Sequence, residues 1–308
     1  MRKLLLPLIA LLVAGVGCAR VDNSSVVHPD GSVDRTLVVA VNNSMGPGGE
    51  GQEKVMPKSL LTLSPSANWK SEEGQNTQGE DIVTSTMKLA PGQSITDEFV
   101  VSDGSDAKAS CTTKAEKLAD GSVVYTETWT WKGKADEAGS PLAKLEPVMK
   151  EKLSAKGISE ADQKSMTAST MRVAWRAIFG PGEPLLPMMM TDPNLAIRKL
   201  NNRIAKQLID DLGKAAPAMP GEEKLAVARE VLAGLDMSQM ADPAANAPTP
   251  DEGGKQDLMV SILSRVKGPG VLVESDGELD LIESEVFWSM YLEACTYEPV
   301  VLRAVFKP

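Results

Sequence analysis

Few side chains in this sequence are of the types that carry out catalysis, and they are scattered. The chain has one histidine, His28, directly before Pro29. A serine or cysteine nucleophile that uses histidine as its base would need this residue, whereas a solvated loop position is the simpler interpretation. A histidine-rich metal site cannot form with one histidine. The sequence therefore predicts no catalytic residues, no metal and no cofactor.

Closely spaced carboxylates are the remaining candidates for chemistry. The three pairs are Asp103/Asp106, Asp210/Asp211 and Glu283/Glu285. Paired carboxylates can cleave glycosides or hold Ca²⁺ through their oxygens. None of the pairs lies in an EF-hand pattern, and exposed charge on a turn or helix explains each more simply. We predict that the chain is not an enzyme; a carboxylate hydrolase is the third class that we keep open.

The first eighteen residues have the pattern of a secretory signal. Arg2 and Lys3 give a basic start, an apolar run follows from Leu4 to Val16, and Cys18 comes after Gly17. This order is typical of a cleaved signal, and the run is shorter than the roughly 20 residues that span a bilayer. The sequence therefore predicts a signal peptide over residues 1–17.

A cysteine at such a cut resembles a bacterial lipoprotein signal, whose processed first residue is an acylated cysteine. The resemblance implies palmitate or similar chains on Cys18, which anchor the protein to a membrane of the cell envelope. Ala19 after the cysteine is similar to the outer-membrane sorting pattern, so the expected location in an organism with two membranes is the outer membrane, facing the periplasm. A cleaved signal without lipid and a buried N-terminal helix remain the alternatives.

The other two cysteines are Cys111 and Cys295. In an oxidising compartment an even number of cysteines indicates a disulfide. Two buried thiols are the alternative, since cysteine is among the residues most often buried. The sequence leaves both open.

The composition restricts the partners. The net charge is −10, and loss of Arg2 and Lys3 with the signal would make it more negative. Nucleic acids and anionic lipid surfaces attract basic proteins, so we predict no nucleic-acid partner. The expected partners are the membrane, through the N-terminal acyl chains, and an envelope protein or lipid.

Strands are predicted between residues 33 and 139, after a polar tether over residues 18–32. Short apolar runs alternate there with Asp-Gly and Pro-Gly turns, as in antiparallel sheets. The predicted strands are Val33–Val41, Asp81–Leu89, Glu98–Ser102, Ala107–Leu118 and Ser122–Trp131. One face of the last strand carries Val123, Tyr125, Glu127, Trp129 and Trp131. We predict that this face lies in the core and is not an exposed binding stripe.

Residues 140–240 have helical periodicity. Helix starts are predicted at Ser140-Pro141, Ser159, Asp192-Pro193 and Pro220. The connection over Gly180–Met190 contains an apolar, methionine-rich group: Leu185, Leu186, Met188, Met189 and Met190. Methionine-rich surfaces suit adaptable partners, so this group is either an apolar contact site or a loop buried under the helices.

A Pro/Ala-rich linker, 241–254, leads to residues 255–308. We predict a helix over Lys255–Lys267, a hairpin around Asp276-Gly277 and a final strand over Pro299–Phe306. The stretch GPGVLVESDGELDLIESEVFW, with this turn and a returning Trp288, resembles the C-terminal part of mycobacterial LppM-like envelope lipoprotein domains. The resemblance implies a small antiparallel sheet with helices on one face, and it brings no catalytic residues.

Together these patterns predict an α+β fold, in which N-terminal and C-terminal strands build an antiparallel β-sheet and a helical insertion lies between them. The expected function is that of a non-enzymatic lipoprotein that binds or scaffolds envelope components. The alternative is a periplasmic carrier of lipid or another apolar ligand, which would need an enclosed apolar cavity of about 300–1,000 Å³.

Overall fold

A computed structural model describes residues 18–42, 56–65, 67–100, 108–132, 144–182, 184–235, 259–280 and 284–308. The chain divides into two compact units. One comprises residues 1–134, 180–182 and 250–308, and the other residues 135–179 and 183–249. Strands build the first unit and helices the second, so the predicted α+β fold with a helical insertion between N-terminal and C-terminal strands is confirmed.

The described residues of the first unit form thirteen strands. In chain order they are β1 (Cys18–Val27), β2 (Val33–Asn42), β3 (Leu61–Thr62), β4 (Lys70–Gln75), β5 (Asp81–Leu89), β6 (Ser94–Val100), β7 (Lys108–Lys117), β8 (Val123–Lys132), β9 (Met259–Lys267), β10 (Val271–Ser275), β11 (Glu278–Asp280), β12 (Glu285–Tyr291) and β13 (Val300–Lys307). Short 3-10 helices cover Pro57–Leu60 and Leu292–Cys295.

The strands form two sheets. The seven-stranded sheet has the order β11-β12-β9-β1-β2-β5-β4, and the six-stranded sheet has the order β10-β13-β8-β7-β6-β3. Neighbouring strands are antiparallel, except that β1 runs parallel to β9, with Cys18 opposite Met259. Both sheets therefore combine strands from before and after the helical unit.

The two sheets pack face to face as a sandwich, because alternate residues of their strands point to a shared interior. On β8 the inward residues Val123, Tyr125, Glu127 and Trp129 are at most 1% exposed. The predicted core face of this strand is confirmed at these positions. The final strand β13 lies between β10 and β8, as its apolar sequence predicts.

The helical unit contains α1 (Leu145–Ser154), α2 (Glu160–Phe179), α3 (Leu185–Thr191), α4 (Pro193–Ala215) and α5 (Gly221–Leu235). Two predicted starts are confirmed by their caps. Ser159 Oγ accepts a hydrogen bond from the Asp162 amide at 3.1 Å, and Asp192 Oδ1 accepts one from the Leu195 amide at 3.0 Å. None of the described helices is both long enough and apolar enough to cross a bilayer.

Two predicted elements are wrong, because polar residues at buried positions hide the alternation of buried and exposed residues that marks a strand. The expected tether contains β1, whose inward positions include Asn23 and Ser25, each 1% exposed. The expected helix over Lys255–Lys267 contains β9 instead, where Ser264 is buried between Ile262 and Val266. A polar residue on the inward face breaks the apolar alternation that marks a strand.

Three further predictions need correction. Residues 70–75, expected in a loop, form the exposed strand β4. The connection after Gly180 contains the helix α3. Asp276-Gly277 joins strands of different sheets and closes no hairpin, since β10 pairs with β13 and β11 pairs with β12. A Cβ on Gly277 would lie 2.6 Å from the Trp288 ring, so this crossing requires glycine.

Candidate functional site

Among the described residues, three charged side chains lie in the interior of the sandwich. Arg35 on β2 and Asp97 on β6 are fully buried, as is Glu127 on β8. Each occupies an inward position of an alternating strand; Arg35, for example, lies between the buried residues Val33 and Leu37. Charged residues are seldom buried unless they are paired, so this group is the strongest candidate for a functional site.

We call these residues and their buried hydrogen-bond partners the interior polar cluster. Its members come from six strands of both sheets: Asn23, Ser25, Arg35, Asp97, Cys111, Tyr125, Glu127, Trp129 and Ser264.

Arg35 uses all three of its guanidinium nitrogens. Nε donates to Asn23 Oδ1 at 2.8 Å, Nη1 donates to Asp97 Oδ2 at 2.5 Å, and Nη2 contacts Cys111 Sγ at 3.7 Å. The central guanidinium carbon lies 5.6 Å from the centre of the Trp69 ring, within the range of a cation–π contact. Arg35 therefore joins the two sheets by a buried ion pair.

The surroundings keep Arg35 protonated. Burial by itself lowers the pKa of a guanidinium, but the negative or ionisable groups of Cys111, Asp97, Tyr125 and Glu127 outweigh it. The net effect raises the pKa of Arg35 above its ordinary value. The other oxygen of its partner, Asp97 Oδ1, accepts the Ser64 amide at 3.0 Å.

Glu127 is also fully hydrogen-bonded. Its Oε1 accepts the Tyr125 hydroxyl at 2.5 Å, and its Oε2 accepts Trp129 Nε1 at 3.0 Å and Ser264 Oγ at 2.7 Å. The tyrosine has a single hydroxyl hydrogen, which goes to Glu127, so Ser25 Oγ donates to Tyr125 across 2.8 Å. Glu127 therefore connects β8 to β9 directly and to β1 through Tyr125.

Two potential nucleophiles of the cluster stay protonated at neutral pH. Burial raises the pKa of the Cys111 thiol well above its ordinary value, and the nearby Arg35 offsets this only in part. Burial, reinforced by the charge of Glu127, likewise raises the pKa of Tyr125. A protonated, fully buried thiol is a poor nucleophile. The cluster is therefore suited to fixing the sheets against each other and not to chemistry on a substrate.

The three cysteines have two outcomes. Acylation of Cys18, the first described residue of β1, stays a prediction, since residues 1–17 lie outside the described part of the chain. Cys111 and Cys295 are buried and are not joined by a disulfide in the structure, which favours the alternative of two thiols. Cys111 faces the sandwich interior, where its thiol lies beside the guanidinium of Arg35.

The apolar group after Gly180 lies in and around α3. Leu185 is fully buried, which makes it a core residue and not a contact residue. Leu186, Met188 and Met189 are half-buried, and the side chain of Met190 is not among those described. Among the described side chains of this group, only the half-buried Leu186, Met188 and Met189 are accessible to a partner.

Of the other candidates for chemistry, His28 and Asp211 lie in structural contacts. His28 Nε2 is 3.1 Å from Asp34 Oδ2 beside an exposed turn. Asp211 accepts Ser169 Oγ and Gln207 Nε2, joining α2 to α4. Asp103, Asp106 and Glu283 lie outside the described residues, while Glu285 begins β12. Within the described part of the chain, no three His, Cys, Asp or Glu side chains are grouped to hold a metal ion.

Sequence reasoning missed Arg35, Asp97 and Ser264, and it placed Glu127 on the core face without noting its charge. A detectable signal exists for two of them, since Arg35 and Glu127 interrupt alternating apolar runs at inward positions. Asp97 gives no such signal, because we predict that its strand starts one residue later, at Glu98.

No protein family, curated protein or solved structure matches this chain. Functional inference therefore depends on the residues and geometry described above.

Proposed function

We propose that this chain is a lipid-anchored envelope protein that binds or scaffolds other envelope components and catalyses no reaction. The observation that carries the proposal is the place of Cys18 in the fold. Cys18 is the first described residue of β1 and lies opposite Asn42 on β2 and Met259 on β9. Cleavage before Cys18 would keep every described residue of β1, so the predicted processing would leave this pairing intact.

An acylated Cys18 would fix the orientation of the sandwich. Two acyl chains are enough for a stable membrane anchor, and Cys18 is already in the hydrogen-bonded ladder of a central strand. A strand of ten residues is about 33 Å long, so the turn His28–Ser32 would face away from the membrane. The anchored end and the end with this turn are thus opposite ends of the same strands.

The buried groups support binding over catalysis and over transport. Arg35 and Asp97 are paired with each other and Glu127 is hydrogen-bonded to neutral groups, which leaves the surface as the place where partners are recognised. An apolar carrier needs an apolar lining, whereas this interior contains Arg35, Asp97 and Glu127. The scaffold is therefore the better supported of the two proposals.

The intact mass of the full chain, produced in a lipoprotein-processing bacterium, tests the anchor. We expect membrane-bound protein with the mass of residues 18–308 plus acyl chains. Cys18→Ser should abolish acylation, while the matched variant Cys295→Ser should keep it. Recovery of the wild-type chain in the soluble fraction without acyl chains would overturn the anchor. Cross-linking in intact cells tests the scaffold, and a chain linked to no envelope protein would contradict it.

A further inference from the structure

Four of the described strands lie at sheet edges, and of these β10 is longer than β3 and β11 and carries fewer charges than β4. Strand β4 exposes all six residues, of which three are charged, β3 has two residues, and β11 has three. Charge and short length keep sheet edges from pairing with other chains. Strand β10 has five residues, VLVES, with no charge before Glu274.

The side chains of β10 are unusually exposed for their type. Val271 is 70% exposed and Val273 is 62% exposed, the two largest values among the big apolar side chains of the described residues. Single exposed valines are common, whereas these two lie two residues apart on the same edge strand and together expose an apolar surface.

The backbone of β10 is paired on one side only. Its hydrogen-bonded neighbour is β13, and the register shifts between Leu272 and Glu274, which makes Val273 the extra residue of a bulge. No other described strand lies along its second side. An extended chain placed there would gain main-chain hydrogen bonds and side-chain contacts, which is β-strand addition.

The charge around this edge favours a basic partner. Residues 268–280 contain Glu274, Asp276, Glu278 and Asp280 and no lysine, arginine or histidine. Arg303 on β13 pairs with Glu274 and Lys307 on β13 lies opposite Val271, so the four carboxylates exceed the two cations of the neighbouring strand. A second copy would bring the same carboxylates and a net charge of −10, so self-pairing at this edge is opposed by like charge.

We propose that the open edge of β10 binds an extended segment of a partner protein in which lysine or arginine alternates with apolar residues. The segment adds to the six-stranded sheet, its apolar side chains contact Val271 and Val273, and its cations approach the carboxylates of residues 274–280. This inference rests on the proposed binding function and names its surface, but it does not require acylation of Cys18.

The test uses the full chain in a non-ionic detergent and two fluorescent peptides of equal length. One peptide alternates lysine with valine and the other alternates glutamate with valine. We expect saturable binding of the lysine peptide, at least about tenfold tighter than that of the glutamate peptide. Raising the salt from about 0.05 to about 0.3 M should weaken it, because exposed charges are screened.

Variants locate the binding surface. V271K/V273K should weaken binding of the lysine peptide about tenfold or more, and Glu278→Lys should weaken it less. The control Leu225→Lys replaces an exposed leucine of α5 in the helical unit and should leave binding unchanged. Thermal melting of each variant shows whether the fold is kept.

Three outcomes would overturn the inference. The first is equal affinity for the two peptides, and the second is an unchanged affinity of V271K/V273K for the lysine peptide. The third is a dimer in sedimentation experiments that dissociates in V271K/V273K, because a second copy would then occupy this edge. If the chain is acylated and cross-linked to envelope proteins but fails these tests, only the proposed binding surface is disproved. If the chain binds the peptide without being acylated, the binding surface is supported and the lipid anchor is disproved.

Discussion

The β1–β2 and β7–β8 hairpins have the same construction, one in each sheet. Each joins two ten-residue strands through a five-residue turn, HPDGS at His28–Ser32 and LADGS at Leu118–Ser122. The first and last residues of both turns are hydrogen-bonded through the backbone, at 2.9 and 2.8 Å. Gly31 and Gly121 both have φ of +87°, which favours glycine. The turn chemistry therefore specifies the hairpin in both cases.

The hairpins differ in what they direct into the sandwich. At the second inward position after the turn, the first has Arg35 and the second has Tyr125. At the third position, the first has Leu37 and the second has Glu127. One hairpin thus supplies the buried cation and the other a buried carboxylate. The comparison teaches that the turn sets the local backbone, while the inward polar residues determine how the hairpin fits the opposite sheet.

Removal of the cation should have the largest effect on stability. Arg35→Met leaves Asp97 as a buried carboxylate without its partner, which should lower the free energy of unfolding by about 3–5 kcal/mol. Urea denaturation followed by tryptophan fluorescence measures this. The control Arg20→Met removes a partly exposed ion pair with Asp22 and should cost less than about 1 kcal/mol. Equal losses for the two variants would contradict the assigned role of Arg35.

A change of Glu127 should cost less, because its hydrogen-bond partners are neutral. Glu127→Gln keeps the shape of the side chain but replaces one carboxylate oxygen with an NH₂ group. This donor would face either the Tyr125 hydroxyl or the donors of Trp129 and Ser264. We expect a loss of about 1–3 kcal/mol in the same denaturation experiment. Glu116→Gln on β7 alters an exposed carboxylate and should leave the midpoint almost unchanged. A similarly small effect for Glu127→Gln would mean that the buried network is not needed.

The two turn glycines should respond alike. Gly31→Ala and Gly121→Ala each place a Cβ at a positive φ, so we expect each to lower the free energy of unfolding by about 1–2 kcal/mol. The new Cβ would contact Lys117 at 3.6 Å in the first turn and nothing within 4 Å in the second. Gly74→Ala, with open space and an ordinary φ, is the matched control and should cost nothing. A large difference between the turn variants would disprove their equivalence.

The turn aspartates should differ slightly in their titration. The pKa of Asp30 is lowered most by the hydrogen bond from the Ser32 hydroxyl and next by the one from the Ser32 amide. The pKa of Asp120 is also lowered, but there the hydrogen bond from the Ser122 amide contributes most. A lowered folded pKa means that the stabilisation is complete above the unfolded pKa of about 3.9 and is lost as the pH falls through the folded value. Carboxyl NMR titration should show that Ser32→Ala raises the pKa of Asp30 more than Ser122→Ala raises that of Asp120. Equal responses would count against this difference.

The sequence predicts the parts of the fold that depend on local chemistry. Asp-Gly turns and alternating residues are enough for β2, β5 and β8, and the caps at Ser159 and Asp192 are enough for two helix starts. Long-range placement is not encoded locally. Nothing in the neighbours of Asp97 indicates that it meets Arg35, because that contact exists only once the two sheets have packed.

The same physical reason explains the errors. Asn23, Ser25 and Ser264 look like surface residues, yet they are buried as the hydrogen-bond partners of Arg35, Tyr125 and Glu127. Their strands are therefore misjudged when hydrophobicity is the only signal. The candidate site and the wrongly predicted elements share these residues, so the site could not be predicted without the tertiary structure.

The parallel pairing of β1 with β9 has a consequence for how the protein is made. Cys18 is paired with Met259, so the first strand lacks one neighbour until synthesis has passed the whole helical unit. Such contacts between distant parts of the chain slow folding and leave strand edges exposed meanwhile. We therefore expect the sandwich to be completed only after β9 has been made, and a fragment truncated before β9 to be prone to aggregation.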